Sequence, residues 1–317
     1  ESCYRSAATA RTLGAELHLV PLGEGGIVRK SFAYVVAAFR TCLLLFRRRP
    51  AVVLCLNLPV FLPLVAALYA LTFRAKFIVD FHSGAITNEP WRSFLPLYRW
   101  LCRRALVTIC HNSDDEKSVA SWGGRTALIE ALPMDQPVLD SSALTYDRPR
   151  VIFSCSFAPD EPIALAAEAM RKCPGMDFLI TGNHTRGGQD WTRHFPDNVQ
   201  LTGYLPYAEY AQLLAESSVV MTFSSRTHIM QMAIEEALSF GIPVVTNESP
   251  TLRSVLGGAG RFTQLSPESI ATALREAIAE QENMRRAMIE ARTRCYNRTS
   301  AALANLEARH PELFDDS

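Results

Sequence analysis

Short apolar runs alternate with helix-length amphipathic stretches along almost the whole chain. In the first half, residues 51–56 and 105–110 are apolar at nearly every position, and 76–80 at the three central ones. A strand reads this way when both of its faces are buried. Residues 31–46, 62–71, 94–104 and 114–122 carry helical patterns between these runs, and Gly123-Gly124 closes the last one. Two shorter strands are predicted at 16–20 and 126–130. Continuous apolar strands separated by helices predict a parallel sheet covered on both faces.

Residues 133–150 are polar and proline-bearing, as a linker between domains would be. The alternation then restarts. Strands are predicted at 151–154, 178–181, 199–201, 218–222 and 242–246. Helices are predicted at 161–171 and 207–217, in a segment ending at Phe240-Gly241, and over 267–295. The expected architecture is α/β, with two tandem Rossmann-like domains at 1–147 and 148–317 and a helical tail on the second. The chain opens on residues that read as a turn into a helix, so the N-terminal domain is expected to lack its first strand. Ligands of such sheets bind beyond the carboxyl ends of the strands.

Composition narrows the partners. The 317 residues hold 32 Lys and Arg against 32 Asp and Glu, so no overall field points to nucleic acid. Locally, Arg47-Arg48-Arg49 follows the apolar helix over 31–46, a pairing compatible with peripheral membrane contact. The competing reading is a core helix with a solvated basic end. The apolar span 52–73 is long enough to raise a membrane-spanning reading, but Asn57, Pro59 and Pro63 interrupt it. The eight cysteines include no CxxC pair. They read as buried thiols of a cytoplasmic protein, with the inner face of the membrane as a second location.

The most informative stretch is 224–245. A strand ends, a polar loop with Ser224, Arg226, Thr227 and His228 follows, and a helix begins after Gln231. Free N–H groups and the helix dipole at such a point suit a diphosphate. Arg226, His228 and Gln231 would lie near phosphates and sugar, and Glu236 could accept from ribose hydroxyls. The competing reading of Glu236 is an ordinary helix glutamate. The run Glu236-Ala237-Leu238-Ser239, Gly241, Pro243-Val244-Val245 resembles the second half of the Glu–seven residues–Glu motif of GT4-like glycosyltransferases. It is closest to a divergent bacterial subgroup. That resemblance implies the GT-B fold, two Rossmann-like domains facing across a cleft, with Glu236 on the ribose. The family's first Glu is replaced by His228 and its glycine-rich loop is absent, so the donor-sugar contacts depart from the pattern.

Further positions follow from the same resemblance. Gly203 and Tyr204 stand where the base is held, and Ser156 where a basic pair often meets the diphosphate; Arg226 would supply that charge instead. Asn183 would border the nucleotide. His82 would line the reacting sugar and acceptor, with Asn57, Ser83, Gly84, Glu1 and Arg5 on the acceptor side.

The implied reaction moves a sugar from a nucleotide-sugar co-substrate, UDP- or GDP-linked, to an acceptor hydroxyl with retention. The acceptor would be a glycan or a lipid-linked sugar in envelope or exopolysaccharide assembly. No Asp-x-Asp metal motif is present, and neither metal nor other cofactor is expected. A GT-B-fold nucleotide-sugar epimerase and a non-catalytic partner subunit remain alternatives.

Overall fold

The computed structural model describes residues 4–20, 27–130, 132, 147–185, 190–226 and 229–311. The chain divides into two compact units, residues 1–132 with 298–317, and residues 133–297.

The first unit contains α1 (Tyr4–Thr12), α2 (Ile27–Arg48), β1 (Val52–Leu56), α3 (Phe61–Phe73) and β2 (Lys76–Phe81). Two single turns, α4 (Gly84–Thr87) and α5 (Glu89–Arg92), lead to α6 (Leu95–Arg104), β3 (Val107–Cys110), α7 (Ser113–Ser121) and β4 (Thr126–Leu128). The strands pair in parallel in the order β1-β2-β3-β4. Phe77, Val79 and Phe81 of β2 pack with Ala66, Ala67, Tyr98, Leu101 and Val119 from the flanking helices. Each large side chain so buried contributes about 1.5–3 kcal/mol. Asn112 caps α7, its Oδ1 accepting from Asp115 N at 2.7 Å.

The strand predicted at 16–20 does not form. Those residues run without regular structure, and Leu17 and Leu19 are exposed. Alternation alone does not make a strand where no neighbour supplies hydrogen bonds.

The second unit opens with β5 (Arg150–Ser154), α8 (Ile163–Arg171), β6 (Asp177–Thr181), β7 (Val199–Gly203) and α9 (Tyr207–Ala215). It continues with β8 (Val219–Thr222), α10 (Met232–Phe240), β9 (Val244–Asn247), α11 (Pro250–Leu256), β10 (Gly260–Thr263), α12 (Pro267–Ala279) and α13 (Gln281–Arg309). Residues of α13 through Asn297 count with the second unit and those beyond with the first. All strands are parallel, in the order β10-β9-β8-β5-β6-β7. This is the doubly wound order, and strand direction of travel reverses between β5 and β8, the switch point where such sheets bind ligands. The sequence pattern did not predict α11 or β10.

Helix α10 is interior: residues 233 to 240 are all buried. It ends on Gly241 at φ 69, with Ile242 N donating back to Ala237 O at 2.9 Å, a left-handed cap that glycine adopts without strain. A second glycine sets how closely the strand ends approach. Gly182, just after β6, has φ 105, and a Cβ there would lie 2.0 Å from Cys155 O.

The Gly182→Ala variant should therefore lose about 2–4 kcal/mol of stability, from backbone strain and the clash together. An unchanged urea midpoint would contradict the close approach of the β5 and β6 ends.

Candidate functional site

Each unit gathers polar side chains at the carboxyl ends of its strands. In the first unit, β2 ends in Asp80-Phe81-His82 and β3 runs into His111-Asn112. Asp80 is 1% exposed and His111 7%. The His111 Nδ1 faces Ile129 O at 3.0 Å, and its Nε2 bonds Asp80 Oδ1. A backbone carbonyl can only accept, so Nδ1 carries a proton and Nε2 is the nitrogen turned to Asp80. Burial pushes the Asp80 carboxyl upward, but His111 and then His82 outweigh it and hold it well below the usual carboxylate range.

His82 stands on the rim of this pair. Its Nε2 is 3.7 Å from Asp80 Oδ2 and has no hydrogen-bond partner among the described residues. Its ring meets that of His111 edge to face at 5.0 Å. Asn57, expected on the acceptor side, is fully buried. Its Oδ1 accepts from His82 N at 3.0 Å and its Nδ2 donates to His82 O at 2.9 Å, so its amide fixes the His82 backbone. Ser83 Oγ donates to Asp115 Oδ2 at 2.6 Å, and Asn112 Nδ2 reaches both groups. Gly84 opens α4, and a Cβ there would press on Leu58 Cδ1 at 2.8 Å. Glu1 lies outside the described residues, and Arg5 is placed on α1 by its backbone alone.

In the second unit the sequence-predicted donor residues fall at separate places around the strand ends. Glu236 is 7% exposed. Tyr210 of α9 donates to its Oε2 at 2.7 Å and stands 2.8 Å from Ser154 Oγ. The phenol proton is committed to the carboxylate, so Ser154 donates to the phenol oxygen. A three-residue relay joins the end of β5 to α9 and α10. Burial raises the Glu236 carboxyl to about 7; the Tyr210 hydrogen bond pulls the other way, and Glu235 beside it adds to the rise. The Tyr210 phenol is pushed well above its ordinary value, by burial first and then by Glu236. Sequence reasoning placed Glu236 but did not single out Tyr210; its only sequence signal was an aromatic residue on a half-buried helix.

The loop after β8 is pinned to its neighbours. Ser224 Oγ donates to Asp160 Oδ2 at 2.7 Å, Ser225 N to Asp160 O at 2.8 Å, and Ser224 N to Asn247 Oδ1 at 3.0 Å. Arg226 lies 3.6 Å from Asp160 Oδ1, about half exposed. Thr227 and His228 lie outside the described residues. Gln231 caps α10 by position without a side-chain cap bond, and its buried Oε1 has no partner among the described residues.

Two other expected contacts, Ser156 and Asn183, are engaged close to home. Ser156 donates through N and Oγ to the Glu161 carboxylate at 2.9–3.3 Å. Asn183 Oδ1 accepts from Thr185 N and Oγ1. Gly203 ends β7 at φ 71 with open space where a Cβ would stand, and Tyr204 after it is exposed.

The thiols take no part. Seven cysteines are free among the described residues, six of them buried, and burial raises that of Cys102 to about 12.

Comparison with known proteins bears on both units. Residues 163–309 match the model of a family described as glycosyl transferase-like. No curated protein sequence matches the chain. Among solved structures, HepE from Anabaena in complex with UDP-glucose aligns with a TM-score of 0.67 and 17% identity, over 86% of this chain and 82% of that one. Sucrose-phosphate synthase from Thermosynechococcus elongatus aligns with a TM-score of 0.69 and 16% identity, over 94% and 82%. A Listeria monocytogenes protein assigned as a UDP-N-acetylglucosamine 2-epimerase aligns with a TM-score of 0.61 and 13% identity, over 92% and 82%. At such identities the likeness is one of fold. The fold is GT-B, α/β with two Rossmann-like units whose parallel sheets have four and six strands.

A carboxyl raised from 4.5 to about 7 by folding stabilises the protein below pH 4.5, and that contribution is lost as pH rises through 7. At about 1.4 kcal/mol per pH unit the loss is on the order of 3 kcal/mol. Glu236→Gln keeps the acceptor for Tyr210 but not the charge. Well above pH 7 it should unfold at higher denaturant than the parent, and below pH 4.5 at the same concentration; parallel curves at all pH would refute the buried-acid assignment.

Proposed function

We propose that the chain is a glycosyltransferase whose second unit binds a nucleoside-diphosphate sugar and whose reaction passes that sugar to an acceptor hydroxyl. The observation that carries this reading is the Ser154–Tyr210–Glu236 relay at the switch point of the six-stranded sheet. It holds a nearly buried carboxylate beside the carboxyl end of β5, and Tyr210 and Glu236 both fall in the segment matching the glycosyl transferase-like model.

In this reading the ribose hydroxyls donate to Glu236. The diphosphate lies by the loop after β8, where Arg226 and the first N–H groups of α10 oppose its charge. Thr227, His228 and Gln231 complete the donor contacts, with Gly203 and Tyr204 at the base. The acceptor oxygen attacks the anomeric carbon as its bond to the diphosphate breaks, and the nucleoside diphosphate leaves. His82 serves the reacting hydroxyl. Retention of configuration, a UDP or GDP donor and a glycan or lipid-linked acceptor in envelope or exopolysaccharide assembly belong to the same reading.

Helix α2 adds a surface for membrane contact. Phe32, Val35, Phe39, Leu43 and Phe46 are exposed at three- and four-residue spacing, one stripe along the helix. Arg40 and Arg47 to Arg49 are exposed on the same segment. An apolar stripe bordered by arginines is complementary to an anionic lipid surface. Among the described residues no helix is long and apolar enough to cross a membrane.

Calorimetry with UDP, GDP, ADP and TDP tests the donor site. One nucleotide should bind, and Glu236→Ala should weaken it about 10–100-fold, the worth of hydrogen bonds to a charged group. Binding should also release a proton between pH 4.5 and 7, because hydrogen bonds to the carboxylate favour its charged form. A folded chain that binds none of the four is not a transferase. An altered nucleotide sugar as product would make it an epimerase. Separately, the chain should sediment with phosphatidylserine vesicles and not with phosphatidylcholine vesicles, and Phe39→Ser with Phe46→Ser should abolish this; no sedimentation with either removes the membrane role.

A further inference from the structure

We propose that Asp80, His82 and His111 form a binding site for one divalent transition-metal cation, of the zinc or cobalt class. The inference stands on the first unit alone and does not rest on the transferase reading.

The donor atoms are already assembled. One carboxylate oxygen and one ring nitrogen from each histidine lie within 4.8 Å of one another. Ligands bonded at about 2.0–2.2 Å in tetrahedral geometry sit about 3.3–3.6 Å apart, so side-chain rotations closing the widest pair by roughly 1.3 Å would seat an ion. Two imidazoles and one carboxylate are the donor set that suits such cations, and three protein ligands leave a further position open to water or a ligand oxygen.

The surroundings hold these donors as a metal site requires. The bond from His111 Nδ1 to Ile129 O, 3.0 Å, aims the opposite nitrogen at Asp80; a metal-bound histidine is oriented by the same outer contact. His82 is clamped through its backbone on both sides by the buried amide of Asn57. Its Nε2 is buried and finds no hydrogen-bond partner among the described residues, though it points at the cluster from 3.7 Å. An imidazole nitrogen left unsatisfied costs free energy unless something fills the gap. A cation at the cluster would take the Nε2 lone pair of His111 and replace its bond to Asp80.

The test uses the full chain after chelator treatment and dialysis. Zn2+ should bind with a stoichiometry of one by calorimetry, Co2+ should give visible d–d bands at the same stoichiometry, and Zn2+ should raise the thermal midpoint. His82→Ala changes a residue at the rim, so its fold is expected to survive. It should weaken Zn2+ binding about 100-fold and remove both the Co2+ bands and the thermal shift, and His111→Gln should do the same. His194→Ala, in the second unit, should change none of these. The proposal fails if Zn2+ does not bind stoichiometrically to the parent chain, or if binding and the Co2+ spectrum survive in His82→Ala.

Discussion

A parallel strand covered on both faces has no room for polar side chains except at its ends, and most of this protein's chemistry follows from that constraint. The interiors of β2, β3, β5, β8 and β9 are apolar with few exceptions. Their carboxyl ends carry Asp80, His82, His111, Ser154, Ser224 and Asn247. Placing these groups half in the core strips much of their water, and each then needs a partner or changes its protonation. The Asp80–His111 pair is the first outcome. Glu236, raised to about 7, is the second.

The two units solve the problem with different chemistry. In the first, an imidazole meets a carboxylate, and the backbone of His82 is locked by Asn57. In the second, a carboxylate is tied to the neutral Tyr210 hydroxyl, and Arg226 of the loop after β8 is paired with Asp160. Burial raises the Glu236 carboxyl to about 7, and the Tyr210 hydrogen bond offsets that only in part. A ligand that offers hydroxyl donors would find it ready to take charge, which links binding to proton release. The loop after β8 is held by Asp160 and Asn247, so Arg226 starts from an anchored backbone.

Much of the fold is legible in the sequence where burial is two-sided. The runs at 51–56, 76–80 and 218–222 could be little else than interior strands, and the helices between them follow. The misses share one cause. Residues 16–20 alternate like a strand but join no sheet among the described residues, whereas β10, with Gly260 and Arg261, has no apolar run and exists because β9 offers it a parallel edge. Pairing is a property of two segments, and a local pattern reports only one.

By itself the sequence determined two tandem α/β stretches, a polar linker over residues 133–150 between them, the absence of any charge field for nucleic acid, and Glu236 as the residue to watch. Each of these depends on local periodicity, composition or one contiguous motif. Tertiary structure alone decided what those residues touch. It brought Ser154, Tyr210 and Glu236 together across 82 positions of chain, turned Asn57 from a contact group into a clamp on His82, and set His111 against Asp80 over 31 positions. Side chains so far apart in sequence meet only because neighbouring parallel strands bring their carboxyl ends to the same edge.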